Sequence, residues 1–188
     1  MTGFRISDIV IRNPRELTIH FGGLQGMAIR QRYCEIQNTL VNGSRTPDGS
    51  QPFPGLHSQS QSYSFKAEDG LLLMTQFAQP AICVLEKAAF ELLRSQELLP
   101  PLTAFAGHSL GEYAALSCAT KCFPLRSLLK LVFVRGSIMQ AAVPRDAEGR
   151  SDYGMLALGP SRIHPGKSEP RNVAVHSTNG CASKNRLH

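Results

Sequence analysis

The sequence of 188 residues is long enough for one domain with a sizeable hydrophobic core. Its formal net charge is +6, but five basic residues and one acidic residue lie from residue 159 onward, and no basic stripe runs among aromatic residues, so we exclude nucleic acid as a partner. We expect no membrane-spanning segment and no secretory signal. The five scattered cysteines indicate a reducing compartment, the cytoplasm. They lack the spacing of zinc ligands, so we expect no bound metal.

The first third of the chain predicts short elements, a helix and a long loop. "FRISDIVI" is followed by a turn at Asn13-Pro14 and by the strand-like run "LTIHFGG". Glycines 22, 23 and 26 resemble a phosphate loop only loosely, because the Lys-Ser/Thr end and the full dinucleotide spacing are missing. A turn into the helix "MAIRQRYCEIQNTL" is the preferred interpretation. Residues 42–62 offer little to bury and predict a mobile surface loop.

The middle of the chain predicts an α/β fold with a parallel sheet flanked by helices. Pro80 suits the first turn of a helix, and apolar residues follow it at helical spacing: Ala81, Val84, Leu85, Ala88, Ala89, Leu92 and Leu93. "LTAFAG" is typical of a buried strand, "EYAALSCATK" of a helix, and Pro124 opens a further helix. From residue 161 the chain lacks periodicity, so we predict one domain over 1–160 and a disordered tail over 161–188.

Gly107-x-Ser109-x-Gly111 matches the nucleophile elbow of serine acyl enzymes. In that motif the chain reverses so tightly between strand and helix that small residues are needed on either side of the serine. The serine is strained, its hydroxyl is exposed, and the N–H of Leu110 would point to where an oxyanion forms. The alternative interpretation is a glycine-lined turn with an incidental serine.

Arg135 lies in a mostly apolar helical run, on one face with Leu128, Val132 and Met139. A buried guanidinium is costly unless an anion meets it, and a bound carboxylate would satisfy it with two hydrogen bonds. The alternative is that the stem packs while the head reaches solvent or a surface glutamate. Gln76 and Gln79 flank a helix start; either amide could enter a site, or both could be solvated.

Several motifs resemble one family. "AGHSLGEYAAL", "FAQPAI" and "VFVRGSIMQAAVP" are similar to the nucleophile, Thr-Gln-Pro-Ala and Arg-Gly-x-x-Met-Gln segments of malonyl-CoA:acyl-carrier-protein transacylases, with Ala78 in place of the threonine. Together with "LTIHFGGLQG" and "YSFKAEDGLLLMTQFAQPA", they resemble the malonyl/palmitoyl transferase domain of the fungal fatty acid synthase beta subunit over residues 3–160. The resemblance implies a partial acyltransferase fold with an α/β-hydrolase-like core, incomplete at both ends.

The resemblance also implies the chemistry. Ser109 matches the nucleophile, Leu110 the oxyanion donor, Arg135 the residue that binds the malonate carboxylate and Gln79 a pocket-lining amide, while His108 has a supporting role in substrate binding. Malonyl, and long-chain acyl groups in the fungal enzyme, would pass between CoA and the phosphopantetheine thiol of acyl carrier protein through an acyl-serine. CoA thioesters are then substrates, the chain carries no cofactor of its own, and other fatty acid synthase subunits are partners.

Two departures bear on activity. The glutamine loop that begins the family fold is absent, and the catalytic histidine of the family lies beyond the point near residue 162 where the likeness ends. His176 in "VAVHSTN" looks locally similar, but we do not assign it the role of base. The tail suggests truncation, a retained intron or a shifted reading frame, and we expect the isolated chain to be inactive unless another chain supplies the missing segments. The alternatives are an inactive remnant that at most binds CoA esters or synthase partners, and a generic serine esterase, which Arg135 argues against.

Overall fold

The computed structural model describes residues 3–43, 51–120, 123–144 and 151, all within the first of two compact units, Met1–Asp152. Its elements, in chain order, are α1 (Ile6–Arg12), β1 (Glu16–His20), α2 (Gly23–Gly43), β2 (Ser62–Lys66), a 3-10 turn (Leu71–Leu73), α3 (Thr75–Ser95), α4 (Leu110–Ala119) and α5 (Leu125–Ala141). No helix in these ranges is both long enough and apolar enough to cross a membrane. The predicted tail, 161–188, lies outside the described residues.

The end of α1 is determined by local sequence. Asn13 adopts the left-handed conformation, with φ of 39°, and its N–H bonds to the carbonyl of Ile9. Asparagine tolerates this conformation, and the following Pro14 cannot continue a helix. The Asn13 side chain also accepts a hydrogen bond from the N–H of Leu72 at 2.9 Å. The predicted turn at Asn13-Pro14 is therefore confirmed, and it ties α1 to the 3-10 turn.

The β1 and β2 strands form an antiparallel pair in which Leu17 faces Phe65 and Ile19 faces Tyr63. Ile19 and Phe65 are buried, whereas the residues alternating with them face outward. This alternation confirms the strand predicted in "LTIHFGG". Within the described residues this two-stranded sheet is the only one, so the predicted parallel sheet is not found there.

An aromatic cluster forms the main core. Tyr33 of α2 lies at its centre, with its ring centroid 4.7 Å from that of Phe53 and 5.9 Å from that of Phe133. Phe53 and Leu56 are buried although both fall in the segment 42–62, for which we predicted a loop with little to bury. The expectation of little to bury was wrong for residues 51–62, because two apolar side chains among many polar ones suffice to anchor a segment. Residues 51–61 form no helix or strand, as expected of a loop. Residues 44–50 lie outside the described ranges.

For the middle of the chain, one further prediction was wrong and another is not confirmed. The α3 helix begins at Thr75, so Pro80 lies in its second turn, where it removes one intrahelical hydrogen bond. "LTAFAG" forms no strand, and Leu102 and Phe105 are exposed. A buried strand needs partner strands for its N–H and C=O groups, and the described residues supply none. The helices predicted after Gly111 and Pro124 are confirmed as α4 and α5.

Helices α3 and α5 cross closely where α5 has a glycine. A Cβ added at Gly136 would lie 2.6 Å from Cα of Gln76 and 2.7 Å from the carbonyl oxygen of Thr75. The side chain of Gln140 on α5 also accepts a hydrogen bond from the N–H of Thr75 at 2.9 Å. This crossing brings the C-terminal half of α5 against the first two turns of α3.

Candidate active site

Ser109 lies at the start of α4 in a strained conformation. Its φ of 54° and ψ of −107° fall outside the regions that residues other than glycine usually adopt. The helix begins at the next residue, and the Ser109 side chain is exposed. The strain and the exposure are the two properties that the elbow motif predicts for a nucleophile.

The flanking glycines differ in their steric roles. A Cβ added at Gly107 would lie 2.0 Å from the carbonyl carbon of Gly111. The atom it would meet belongs to the backbone, so no movement of a side chain could remove the clash. A Cβ added at Gly111 would meet no atom within 4 Å. The prediction that the turn demands a small residue is confirmed for position 107. At position 111 the local space would accept a larger side chain.

The guanidinium of Arg135 contacts the nucleophile directly. Its Nη2 donates to Oγ of Ser109 at 2.8 Å, and its Nη1 donates to Oε1 of Gln79 at 2.7 Å. Its Cζ lies 5.5 Å from the ring centroid of Tyr113, within the range of a cation–π contact. Arg135 is half-buried, so a positive charge is held beside an exposed hydroxyl. Three residues that the sequence singled out separately therefore form one site.

The two glutamines of α3 have different environments. Gln79 is 5% exposed and points its amide into the site, where its Nε2 donates to Sδ of Met139 at 3.3 Å. Gln76 is 2% exposed, and its Oε1 has no hydrogen-bond partner among the described residues. Gln79 is thus the glutamine that contacts Arg135, and neither side chain is solvated.

Leu110 and His108 flank the nucleophile. Leu110 is the first residue of α4, and the first N–H groups of a helix have no acceptor within the helix. Its N–H therefore lies at the positive end of the helix, where it can donate to a developing oxyanion. The His108 side chain is exposed, and in the described ranges no hydrogen bond joins it to Ser109. His176 lies outside those ranges.

Sequence reasoning gave no role in the site to two residues that lie in it. Tyr113 follows Ser109 by four positions on α4, and Met139 follows Arg135 by four positions on α5. Both spacings place the side chains one helical turn apart on the same face. This spacing was the signal that could have found them, although it does not specify which neighbour a side chain contacts.

Comparison with known proteins gives consistent matches. The family described as acyl transferase domain matches residues 1–180, a range that includes His176 and much of the predicted tail. The chain is 51% identical over 162 residues to the fatty acid synthase subunit beta of Saccharomyces cerevisiae, covering 86% of the chain and 8% of that protein. It is 48% identical over 171 residues to a fatty acid synthase beta subunit of Monascus ruber, covering 89% and 8%. The chain thus spans less than a tenth of the length of these relatives.

Proposed function

Because this chain belongs to the acyl transferase domain family, we propose that it transfers acyl groups in fatty acid biosynthesis through an ester on Ser109. The membership confirms the resemblance found in the sequence. We propose malonyl-CoA and long-chain acyl-CoA as substrates, the phosphopantetheine thiol of acyl carrier protein as the second acyl acceptor, and other fatty acid synthase subunits as partners. Free Cys34, Cys83 and Cys118 support a reducing compartment, the cytoplasm.

The observation that carries this proposal is the 2.8 Å contact between Nη2 of Arg135 and Oγ of Ser109. In malonyl-CoA the free carboxylate is separated from the thioester carbonyl by one methylene group. A cation that binds the carboxylate must therefore lie close to the oxygen that attacks the carbonyl. The guanidinium is planar and can bind a carboxylate with two hydrogen bonds. Its position supports selection of malonyl groups rather than esterase activity on neutral substrates.

The reaction has two balanced halves. Oγ of Ser109 attacks the thioester carbon, the N–H of Leu110 stabilises the oxyanion, and the C–S bond breaks as CoA leaves with the serine proton. The incoming thiol then attacks the acyl-serine, the bond between Oγ and the acyl carbon breaks, and the proton of that thiol passes to Oγ. A general base must relay this proton, and the described residues place none against Ser109.

We propose that "LTAFAG" becomes a strand of a parallel sheet when it meets strands that the described residues do not supply.

A second candidate function is a remnant that binds CoA esters without transferring the acyl group. It is favoured by the hydrogen bonding of Ser109, whose described side-chain partner is Arg135, a residue that cannot accept a proton. In this function Arg135 and Gln79 would still recognise the carboxylate, while the hydroxyl of Ser109 would stay unmodified.

Intact-mass spectrometry after incubation with malonyl-CoA tests the two candidates. Acyl transfer predicts a mass increase of one malonyl group, located on the peptide that contains Ser109 and absent in Ser109→Ala. Ser117, which is buried on the same helix, provides the matched control, since Ser117→Ala should leave the labelling intact. Binding of malonyl-CoA without a mass increase would favour the remnant, and labelling that persists in Ser109→Ala would overturn Ser109 as the nucleophile.

A further inference from the structure

The amide of Gln79 is buried and hydrogen-bonded at both ends. Its Oε1 accepts from Arg135 at 2.7 Å, and its Nε2 donates to the thioether sulfur of Met139 at 3.3 Å. We propose that Met139 is a positioning residue, which holds the carbonyl end of Gln79 towards Arg135 and thereby maintains selection of the malonyl carboxylate. The role in selection rests on the proposed function, whereas the orientation of the amide does not.

The two ends of a glutamine amide have nearly the same shape but opposite hydrogen-bonding properties. Turned by half a rotation, Gln79 would place its NH2 group against the guanidinium of Arg135, where both groups can only donate. The contact with Arg135 favours the observed orientation, and an acceptor for the NH2 group favours it further, because a buried unpaired donor is costly. Sδ of Met139 is that acceptor in the structure.

The backbone places Met139 beside Gln79. Met139 is one helical turn beyond Arg135 on α5, and the close approach of Gly136 to Gln76 sets the distance between α5 and α3 at this point. A residue substituted at position 139 therefore stays next to Gln79, whatever its chemistry. Met139 is 43% exposed, so its side chain can be exchanged without opening a cavity in a closed core.

The consequence for binding follows through Arg135. With Nη1 bonded to Gln79, the guanidinium directs Nη2 towards Ser109, where the malonyl carboxylate would lie. Once Gln79 loses its acceptor at position 139, its amide gains rotational freedom and Arg135 loses a fixed partner. Affinity for malonyl-CoA should then fall, while affinity for acetyl-CoA, which has no free carboxylate, should not change.

Three variants test the proposal. Met139→Leu removes the acceptor at similar volume, and Met139→Gln restores an acceptor oxygen. Met27→Leu on α2 is the matched control, because Met27 is 44% exposed and lies outside the site. The side-chain NH2 signals of Gln79 in nitrogen-15 NMR spectra, assigned by their loss in Gln79→Leu, report amide orientation without substrate. Calorimetric titration with malonyl-CoA and acetyl-CoA reports selection.

We expect Met139→Leu to shift the Gln79 NH2 signals and to lower the malonyl preference by about three- to ten-fold, the range for one neutral hydrogen bond. Met139→Gln should recover most of that preference, and Met27→Leu should match the wild type. Unchanged Gln79 signals in a folded Met139→Leu variant would overturn the proposal. If the wild type binds both esters equally, the proposed function fails, and the NMR comparison alone then supports or overturns the orienting role of Met139.

Discussion

Replacing Arg135 with alanine should abolish discrimination between malonyl-CoA and acetyl-CoA. The guanidinium now makes two charge-assisted hydrogen bonds, at 2.7 Å to Gln79 and at 2.8 Å to Ser109. A malonyl carboxylate would replace the hydroxyl of Ser109 as the acceptor from Nη2, so the net gain for malonyl is about one hydrogen bond to a charged group. Such a bond contributes about 1.5–3 kcal/mol, or roughly ten- to a hundred-fold in affinity.

The assay is calorimetric titration of both esters against the wild type and Arg135→Ala. The wild type should prefer malonyl-CoA by the factor given above, and the variant should bind both esters with the lower affinity. Arg32→Ala is the matched control, because Arg32 is an exposed arginine of α2 that pairs with Glu35 at 3.2 Å. Its preference for malonyl-CoA should equal that of the wild type.

Protein stability must be checked separately, because Arg135→Ala also removes a long apolar stem and leaves Oε1 of the buried Gln79 without its donor. Circular dichroism should show that the variant remains folded at the titration temperature. Equal affinity of a folded wild-type chain for the two esters would refute the reasoning, since the contact with Ser109 would then not mark a carboxylate site.

Two further predictions concern stability. Gly136→Ala should destabilise the chain by about 1–3 kcal/mol in urea denaturation, because its Cβ would meet the backbone of Gln76 at 2.6 Å. Gly111→Ala, whose Cβ meets no atom within 4 Å, should be neutral or stabilising. Equal effects of the two substitutions would contradict the close crossing of α3 and α5. Burial raises the pKa of the Cys83 thiol from 9.0 to about 11. The free energy of unfolding should therefore keep its full contribution from this thiol below pH 9, and should fall as the pH rises from 9 to 11. Urea denaturation across this range should show a smaller decline in Cys83→Ala, and an identical decline would exclude Cys83 as its source.

Local sequence determined the helices, the turn at Asn13-Pro14 and the elbow at Ser109. Each of these depends on neighbours within about four residues, through glycine or asparagine at a positive φ, proline at a helix start, or apolar spacing along one face. The same information singled out Arg135 as a cation on an apolar helix face, with a bound carboxylate and a solvated head as alternatives, and the family resemblance favoured the carboxylate. The strained conformation of Ser109 and its contact with Arg135 agree with these predictions.

Contacts between distant segments decided the rest. Residue spacing alone leaves Gln76 and Gln79 equivalent, although the family resemblance favours Gln79. The crossing of α3 with α5 directs the amide of Gln79 towards Arg135. Phe53 is buried because its ring packs against that of Tyr33, twenty residues earlier in the chain. An apolar run such as "LTAFAG" forms a strand only where partner strands complete its hydrogen bonds. Side-chain partners and burial depend on which segments contact one another in the folded chain, and the local spacing of residues does not specify those contacts.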